Sequence, residues 1–527
     1  TAQATVDVTD TLRIFNGSEI AAFDGGTMTL NVGGELINDG QIRAVGGSTL
    51  QFESVAQQPW NLDGSNDVGT GTKGALVANG GHIVFATGQF EGGPTFRGTM
   101  EFDAGGSIVM PNEHYQLSGD VEFNGEGALS GGGFNLTGNI DVHAGDAQIN
   151  ALIDLFPTGD LNVHGGATVD INYGLAMSGG TLDVDAGGIA RIYGGSTITD
   201  GILDIEGKVM FFGPATLALP DVIGLPPTVG ELHFAHQTTP QLIQTSVIEA
   251  GTQMAVHALI IDGPVNGGRA DVVIHGADIR LGRLRVGEHR SGFLLVDEGA
   301  QIEIDWNGQF GGPVGNGGLR IGSEDQGHGQ MIVTGVQDGV RTTVDVYGRI
   351  SIADGSFGNT GHLTVSDGAL VHTDAVIAIG SQSALPNYTG VGTVIVGGSS
   401  GGYDAELSAG RWIQVRGSEF GDSTLTINDG GRVVTEDLVV WRGAEVIQNG
   451  GELHLKNFDL TSHDGSFVMT GGTLHVENFD GDFSPTGGVV APGNSPGIMT
   501  IAGDFTPTSG AILEIELAGP AGGTQYG

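Results

Sequence analysis

The sequence predicts an all-β protein folded as a right-handed parallel β-helix. Apolar–polar–apolar triplets recur six times between residues 100 and 205, at spacings of 21, 19, 21, 21 and 21 residues. Glycine pairs such as Gly165-Gly166 and Gly179-Gly180 lie between them. A fixed period of this length indicates a solenoid, in which each turn buries its apolar face against its neighbours. Three short strands and three corners fit into such a turn, so the chain would form roughly 20–25 coils.

The triplets have the two-residue alternation of strands with one buried face. They are Met100-Glu101-Phe102, Val121-Glu122-Phe123, Ile140-Asp141-Val142, Leu161-Asn162-Val163, Leu182-Asp183-Val184 and Leu203-Asp204-Ile205. If the coils stack in register, the central residues form a column with a repeat of about 4.8 Å. Adjacent carboxylates at that distance repel by about 0.8 kcal/mol in water.

This acidic column has two interpretations. It is either a solvated face that keeps the solenoid soluble or a stripe that binds cations or surfaces. In the second case the metal-ligand candidates are Glu101, Glu122, Asp141, Asp183 and Asp204. No cofactor is predicted otherwise, and calcium is the cation that oxygen ligands of this kind favour.

The repeat length and the proline content change along the chain, and these changes divide it into three regions. Residues 1–213 form an N-terminal solenoid block with coils of about 21 residues. Residues 214–279 form a proline-rich insert or junction with irregular coils, since five prolines fall at 214, 220, 226, 227 and 240. Because proline cannot donate to a strand ladder, the sequence predicts no regular inner strand between 214 and 240. Residues 280–527 form a C-terminal block with longer repeats.

Each longer repeat contains two recurring sequence elements. The first is Leu284-Arg285-Val286-Gly287, echoed at 319–322, 350–353, 377–380 and 413–416. The second is "GFLLVDEGA" at 292–300, echoed at 329–335, 361–369, 392–398 and 423–431. The spacing of 27–37 residues predicts one large coil, or one coil with a protruding loop, for each repeat.

These repeats resemble those of autotransporter passengers and PEP-CTERM-sorted proteins. The stretch 487–527 is similar to the end of such passengers, with "PGNSPG" from Pro492 to Gly497 and "LEIEL" from Leu513 to Leu517. The resemblance implies an exported bacterial β-helix but no single activity, because the family includes adhesins and proteases. A C-terminal translocator barrel and a sorting tail, which the family pattern would include, do not occur in this sequence.

The amino-acid composition limits which binding partners and which cellular location are expected for the protein. There are 61 acidic against 19 basic residues, so the net charge of −42 disfavours nucleic acid and anionic membranes. The absence of cysteine excludes disulfides, thiol catalysis and cysteine-ligated metal. No apolar run reaches the ~20 residues of a membrane span, so no membrane insertion is expected. Ala2-Gln3-Ala4 is similar to a signal-peptidase site, which predicts export through a cleaved signal peptide to the bacterial cell surface.

Two short patterns of potential ligands each match a metal-binding motif only in part. Asp63, Ser65 and Asp67 begin like a calcium loop, but the twelfth position is Gly74 where such a loop has glutamate. His233 and His236 are three residues apart, yet two ligands do not make a zinc site. The sequence contains no phosphate-binding loop of the form GxxxxGK[ST].

The sequence therefore predicts a non-enzymatic extracellular structural protein, either a self-assembling filament or sheath subunit or an adhesin-like surface protein. Residues 4–15 and 511–517 both have the pattern of strands, so head-to-tail association with further copies is expected. Cell-surface polysaccharide or a host surface is the other expected partner. The alternatives are a polysaccharide lyase or hydrolase on a parallel β-helix, and a phage tailspike-like protein.

Overall fold

A computed structural model gives the fold of most of the chain. The described residues are 2–34, 36–54, 60–61, 74–87, 95–110, 114–219, 230–235, 245–263, 268–304, 318–323, 326–354, 358–381, 389–417, 422–461, 464–493 and 497–515. Within them every regular element is a β-strand and there is no helix. The chain divides into two compact units, residues 1–232 and 233–527.

The strands of the first unit are short and closely spaced. They are Gln3–Val8, Leu12–Ile14, Glu19–Ala22, Thr27–Val32, Leu36–Asn38, Gln41–Val45, Thr49–Ser54, Trp60–Asn61, Ala75–Asn79, His82–Thr87, Thr95–Phe96, Thr99–Asp103, Gly106–Val109, His114–Leu117, Asp120–Phe123, Gly127–Leu136, Asn139–Val142, Asp146–Leu155, Asp160–Val163, Thr168–Ile171, Leu175–Val184, Ile189–Ile192, Ser196–Ile205, Lys208–Phe211 and Ala215–Leu217. The strand Glu231–Phe234 lies across the division between the units.

The second unit contains strands of 2 to 13 residues. They are Thr245–Ile248, Gln253–Ile261, Arg269–His275, Asp278–Val286, Ser291–Asp297, Gln301–Ile304, Gly318–Ile321, His328–Thr334, Val336–Gln337, Val340–Arg341, Thr343–Val346, Ile350–Ile352, Thr360–Ser366, Leu370–Thr373, Val376–Ile379, Val391–Gly397, Ser399–Ser400, Tyr403–Val415, Ser423–Ile427, Gly431–Val440, Ala444–Gln448, Glu452–Asp459, Ser466–Met469, Thr473–Asp480, Gly488–Pro492, Thr500–Ala502 and Ala511–Leu513.

Parallel pairing between successive turns confirms the predicted β-helix. Each long strand pairs with the strand one turn later, as Asp160–Val163 does with Thr181 to Val184. Inward side chains form the core, since alternate residues are buried along almost every strand. Phe102 and Phe123 on adjacent turns stack there with ring centroids 4.4 Å apart. Within the described residues the solenoid has about 18 turns, fewer than the 20–25 expected. The number is smaller because each of the later repeats uses 27–37 residues for one turn.

Both elements of the longer repeat stack in register, as predicted. Leu284 lies opposite Leu319, which lies opposite Ile350, and the series continues to Ile377 and Ile413. The second element stacks in the same way from Ser291–Asp297 to Ser423–Ile427. Each repeat is thus one turn of the solenoid.

The prediction for residues 214–240 was wrong in part. Ala215–Leu217 is a ladder strand paired with Ser196 to Ile198, and Leu217, Leu232 and Phe234 are fully buried. The apolar alternation of these short segments dominates over their proline-rich context. The prolines at 220, 226, 227 and 240 lie outside the described residues, so they do not interrupt a described strand.

Glycine at position 180 shows why glycine pairs mark the corners. Its backbone has a φ of +73°, which L-residues with a side chain rarely adopt. A Cβ atom added there would lie 2.1 Å from the carbonyl oxygen of Gly159 on the preceding turn. The corner therefore requires glycine for its conformation and for the close approach of two backbones.

Candidate functional site

The acidic column predicted from the triplets exists in the structure. Its six members, Glu101, Glu122, Asp141, Asn162, Asp183 and Asp204, lie directly opposite one another on successive turns. All six are half-buried, whereas the apolar residues on either side of each are buried in the core, except for the half-buried Leu203. The amide of Asn162 interrupts the run of charge and donates a 2.8 Å hydrogen bond to Oδ1 of Asp141.

Partial burial and neighbouring carboxylates raise the pKa values of two carboxyl groups in this column. Partial burial raises the pKa of Asp183, and the carboxylates of Asp204, Asp185 and Glu206 raise it further. Partial burial also raises the pKa of Glu101, with Glu122 acting in the same direction and Arg43 opposing it. These carboxyl groups take up protons more readily than isolated ones.

Two histidines lie beside the acidic column. The rings of His143 and His164 stack with centroids 4.8 Å apart and an interplanar angle of 2°. Nδ1 of His164 lies 2.9 Å from Oδ2 of Asp185, and Nε2 lies 3.9 Å from Oδ1 of Asp141. We call His143 and His164 the N-terminal histidine pair.

A column spaced by one turn places ligand atoms in a line rather than around a centre. Among the described residues, one set of three metal-ligating side chains has its donor atoms within 4.8 Å of one another, namely His275, Asp297 and Glu298. None of the predicted ligands in the acidic column belongs to it. Nδ1 of His275 is already hydrogen-bonded to Oδ1 of Asp297 at 2.6 Å, and Glu298 is exposed. Binding of calcium along the acidic column stays a prediction.

The second unit carries a chain of ion pairs on an outward face. Glu406 lies between Arg341, at 3.8 Å, and Arg432, at 3.3 Å. Nε of Arg432 is 3.6 Å from Oε2 of Glu452, which is 2.8 Å from Nε2 of His454. Opposite charges thus alternate from turn to turn, unlike the like charges of the acidic column.

A shallow groove of about 240 Å³ lies at the end of this ion-pair chain. Its lining combines imidazole, carboxylate, ammonium and hydroxyl groups, from Val434, Thr435, Glu436, His454, Leu455, Lys456, His475, Glu477 and Gly493. His454 and His475 stack along one side, with ring centroids 4.2 Å apart and an interplanar angle of 14°. We call these two residues the C-terminal histidine pair.

The surroundings of the C-terminal histidine pair lower the pKa values of two groups, Glu452 and His475. The hydrogen bond from His454 lowers the pKa of Glu452. Burial lowers the pKa of His475, and the neighbouring charge of His454 lowers it further. His475 is therefore held in the neutral form, which is the form able to accept a proton or a metal ion.

A serine, a histidine and an aspartate also meet on this face. Nδ1 of His372 is 2.6 Å from Oγ of Ser408, and its Nε2 is 3.2 Å from Oδ1 of Asp374. The same contact between a histidine Nδ1 and a hydroxyl one turn later occurs for His82 with Ser107 and for His328 with Thr360, at 2.8 Å in both. Ser408 is 8% exposed and lies on a strand paired on both sides. The contact of His372 with Ser408 is therefore one case of a contact that recurs between adjacent turns.

Sequence reasoning missed both histidine pairs, although a signal for them was present. His143 and His164 are 21 residues apart, as are His454 and His475. A residue type that recurs at the period of the coil lies opposite itself on the next turn. The ion-pair chain gave no comparable signal, because its successive members are 65, 26, 20 and 2 residues apart.

The other predicted sites lie largely outside the described residues. Asp63, Ser65 and Asp67 all do, so the calcium-loop hypothesis has no structural counterpart. His233 lies on the strand Glu231–Phe234, but His236 is outside the described residues.

Comparisons with known proteins identify no relative. No family model matches the chain, and neither a curated protein nor a solved structure matches it. No helix in the described part of the chain has the length and apolar character needed to cross a membrane.

Proposed function

We propose that this chain is an extracellular structural protein of the bacterial surface, acting as a filament or sheath subunit or as an adhesin-like protein, without catalysis. The observation that carries the proposal is that outward polar side chains bond to their counterparts on the preceding turn. Asparagine amides do this repeatedly, in Asn31 to Asp7, Asn139 to Asp120, Asn162 to Asp141, Asn172 to Asn150, Asn449 to Asn428, Asn457 to Asp437 and Asn478 to Asn457.

Such ladders stabilise the stack of turns and occupy the groups that chemistry would require. A side chain already bonded along the solenoid has lost rotamer freedom and hydrogen-bonding capacity. The strong negative charge and the absence of cysteine support an extracellular setting for a protein of this kind. The resemblance of the C-terminal repeats to passenger domains supports the same setting.

A polysaccharide lyase or hydrolase is the second candidate, and the groove beside the C-terminal histidine pair favours it. An imidazole with a perturbed pKa beside carboxylates in a concavity, as His475 is here, is typical of a site for proton transfer. Glu436 and Glu477 line the groove together with His454 and His475. The groove is shallow, however, and its two imidazoles are engaged with each other.

An activity screen separates the two candidates. The purified chain would be incubated with acidic polysaccharides, and new reducing ends and unsaturated uronates would be measured. We expect no product above the level of a His454→Gln/His475→Gln variant. Product formed by the unaltered chain and lost in that variant would overturn the structural proposal in favour of catalysis at the groove.

Binding and self-association need separate measurements. Co-sedimentation with insoluble cell-surface polysaccharide tests the adhesin form of the proposal. Sedimentation velocity over a wide range of concentration tests the filament form, for which the sedimentation coefficient would rise with concentration. A monodisperse monomer that binds no polysaccharide would remove both forms.

A further inference from the structure

The strands of the C-terminal histidine pair have buried inward side chains, but the turn that follows them is thinly packed. Thr473–Asp480 pairs with Gly488–Pro492 and with Thr500–Ala502. The side chains of Thr500–Ala502 and Ala511–Leu513 are exposed or half-buried, with Ile512 at 60%. In a solenoid each turn is held by its neighbours alone, so turns with little buried area open first.

Charged groups face the pair from each strand packed against it. Glu452 and Lys456 belong to the strand of His454, and Glu477 belongs to the strand of His475. Arg432 and Glu436 lie on the preceding turn. Glu514 follows Ala511–Leu513 and acts on His475 through its charge.

These groups treat the two imidazoles unequally. Nε2 of His454 lies 2.8 Å from Oε2 of Glu452, whereas His475 has no hydrogen-bonded carboxylate among the described residues. Protonation of both His454 and His475 would place two imidazolium rings in a stack with centroids 4.2 Å apart. Like charges on directly opposed strand positions destabilise the pairing of those strands.

We propose that His454 and His475 form an acid-sensitive latch, in which double protonation of the pair releases the turns built from Glu452–Asp459, Thr473–Asp480 and Gly488–Pro492. In the closed turns the two rings stack. Below the pKa of a free imidazole, the opened turns bind the second proton more readily than the closed ones. The latch operates whether the protein is structural or enzymatic.

The lowered pKa of His475 gives the direction of the response. A folded-state pKa below the unfolded value means that the open form takes up the proton first. Stability contributed by the closed turns is therefore complete well above a pH of about 6.5 and is lost as the pH falls from there through the folded-state pKa.

The test is hydrogen–deuterium exchange of the full chain at pH values of about 7.5 and 5.5, corrected for intrinsic exchange rates. Peptides within 452–492 should open about tenfold more often at the lower pH, since one imidazole with an ordinary pKa then binds a proton in the open state. His475→Gln should hold this increase below about twofold, because glutamine cannot be charged.

His164→Gln, which removes one ring of the N-terminal histidine pair, is the matched control and should keep the full increase in 452–492. His454→Gln is a second variant that should abolish the increase if His475→Gln folds poorly. Equal acid-induced opening in unaltered chain and both C-terminal variants would overturn the latch, as would the absence of opening in the unaltered chain.

Discussion

The acidic column of the first unit and the C-terminal histidine pair of the second are built in the same way but respond to acid in opposite directions. Each is a set of outward side chains that repeats once per turn. Protonation relieves the repulsion between Asp183 and its carboxylate neighbours, whose pKa-raising effect adds to that of burial. Protonation of both His454 and His475 creates repulsion. The fold sets the spacing, and the residue type sets the sign of the response.

The sign follows from the direction of each pKa shift. The pKa of Asp183 is raised, so the folded column binds protons before the unfolded chain does, and stability rises as the pH falls through that raised value. The pKa of His475 is lowered, so stability falls as the pH drops below about 6.5.

The largest expected effect comes from the apolar core within each unit. Phe123 and Phe479 are buried, and each contacts a phenylalanine ring on the preceding turn. Truncation of either to alanine should cost about 3–5 kcal/mol through lost burial and a residual cavity. Hydrogen exchange should show opening confined to the unit that carries the substitution.

Phe15→Ala is the control for these truncations, since Phe15 is 61% exposed. Opening that spreads equally through both units after Phe123→Ala would mean that the two regions unfold together, and the comparison between them would lose its basis.

A smaller loss of stability is expected at the two serines whose hydroxyl groups contact a histidine on the adjacent turn. Ser408→Ala and Ser107→Ala each remove one hydrogen bond to a histidine on the adjacent turn. Each should lower the unfolding free energy by about 0.5–1.5 kcal/mol, as a typical hydrogen bond contributes. A comparable loss at the two sites, measured by denaturant unfolding, would support equivalent stacking roles. A loss of polysaccharide-cleaving activity in Ser408→Ala alone would instead identify Ser408 as a catalytic residue.

The smallest effect is expected in the acidic column. Asp183→Asn with Asp204→Asn should raise the melting temperature in chelator, since a repulsion of about 0.8 kcal/mol per adjacent pair is removed. The gain should shrink in millimolar calcium if the column binds the ion. Asn162 shows that an amide fits this column.

Asp10→Asn is the matched control for charge alone, because Asp10 is exposed and outside the column. If Asp10→Asn raises the melting temperature as much as the pair does, the effect reflects net charge and the column has no role of its own.

The sequence predicted the stacking of the acidic column because the period of 21 residues was visible in the triplets. It also predicted both elements of the later repeat, whose apolar residues lie opposite one another from Leu284 to Ile413. The number of turns was overestimated, since residues spent outside the strands cannot be read from apolar spacing alone. Ala215–Leu217 was missed because three residues give too short an alternation to outweigh nearby prolines.

The candidate site was less predictable than the fold. The column of Glu101 to Asp204 could be drawn from spacing, but its pKa shifts depend on burial, and burial requires the packed structure. The C-terminal histidine pair was detectable from its period. The groove beside it was not, since its lining comes from separate strands, Gly431–Val440, Glu452–Asp459 and Thr473–Asp480, which only the packed turns bring together.

Thermal melting of two variants at two pH values tests the opposite responses most directly. The variants are Asp183→Asn/Asp204→Asn and His475→Gln, each compared with the unaltered chain in chelator at pH values of about 7.5 and 4.5. The aspartate variant should be favoured over the unaltered chain at the higher pH and lose that advantage at the lower one. The histidine variant should gain relative stability at the lower pH. Shifts of the same sign in both variants between the two pH values would contradict the account.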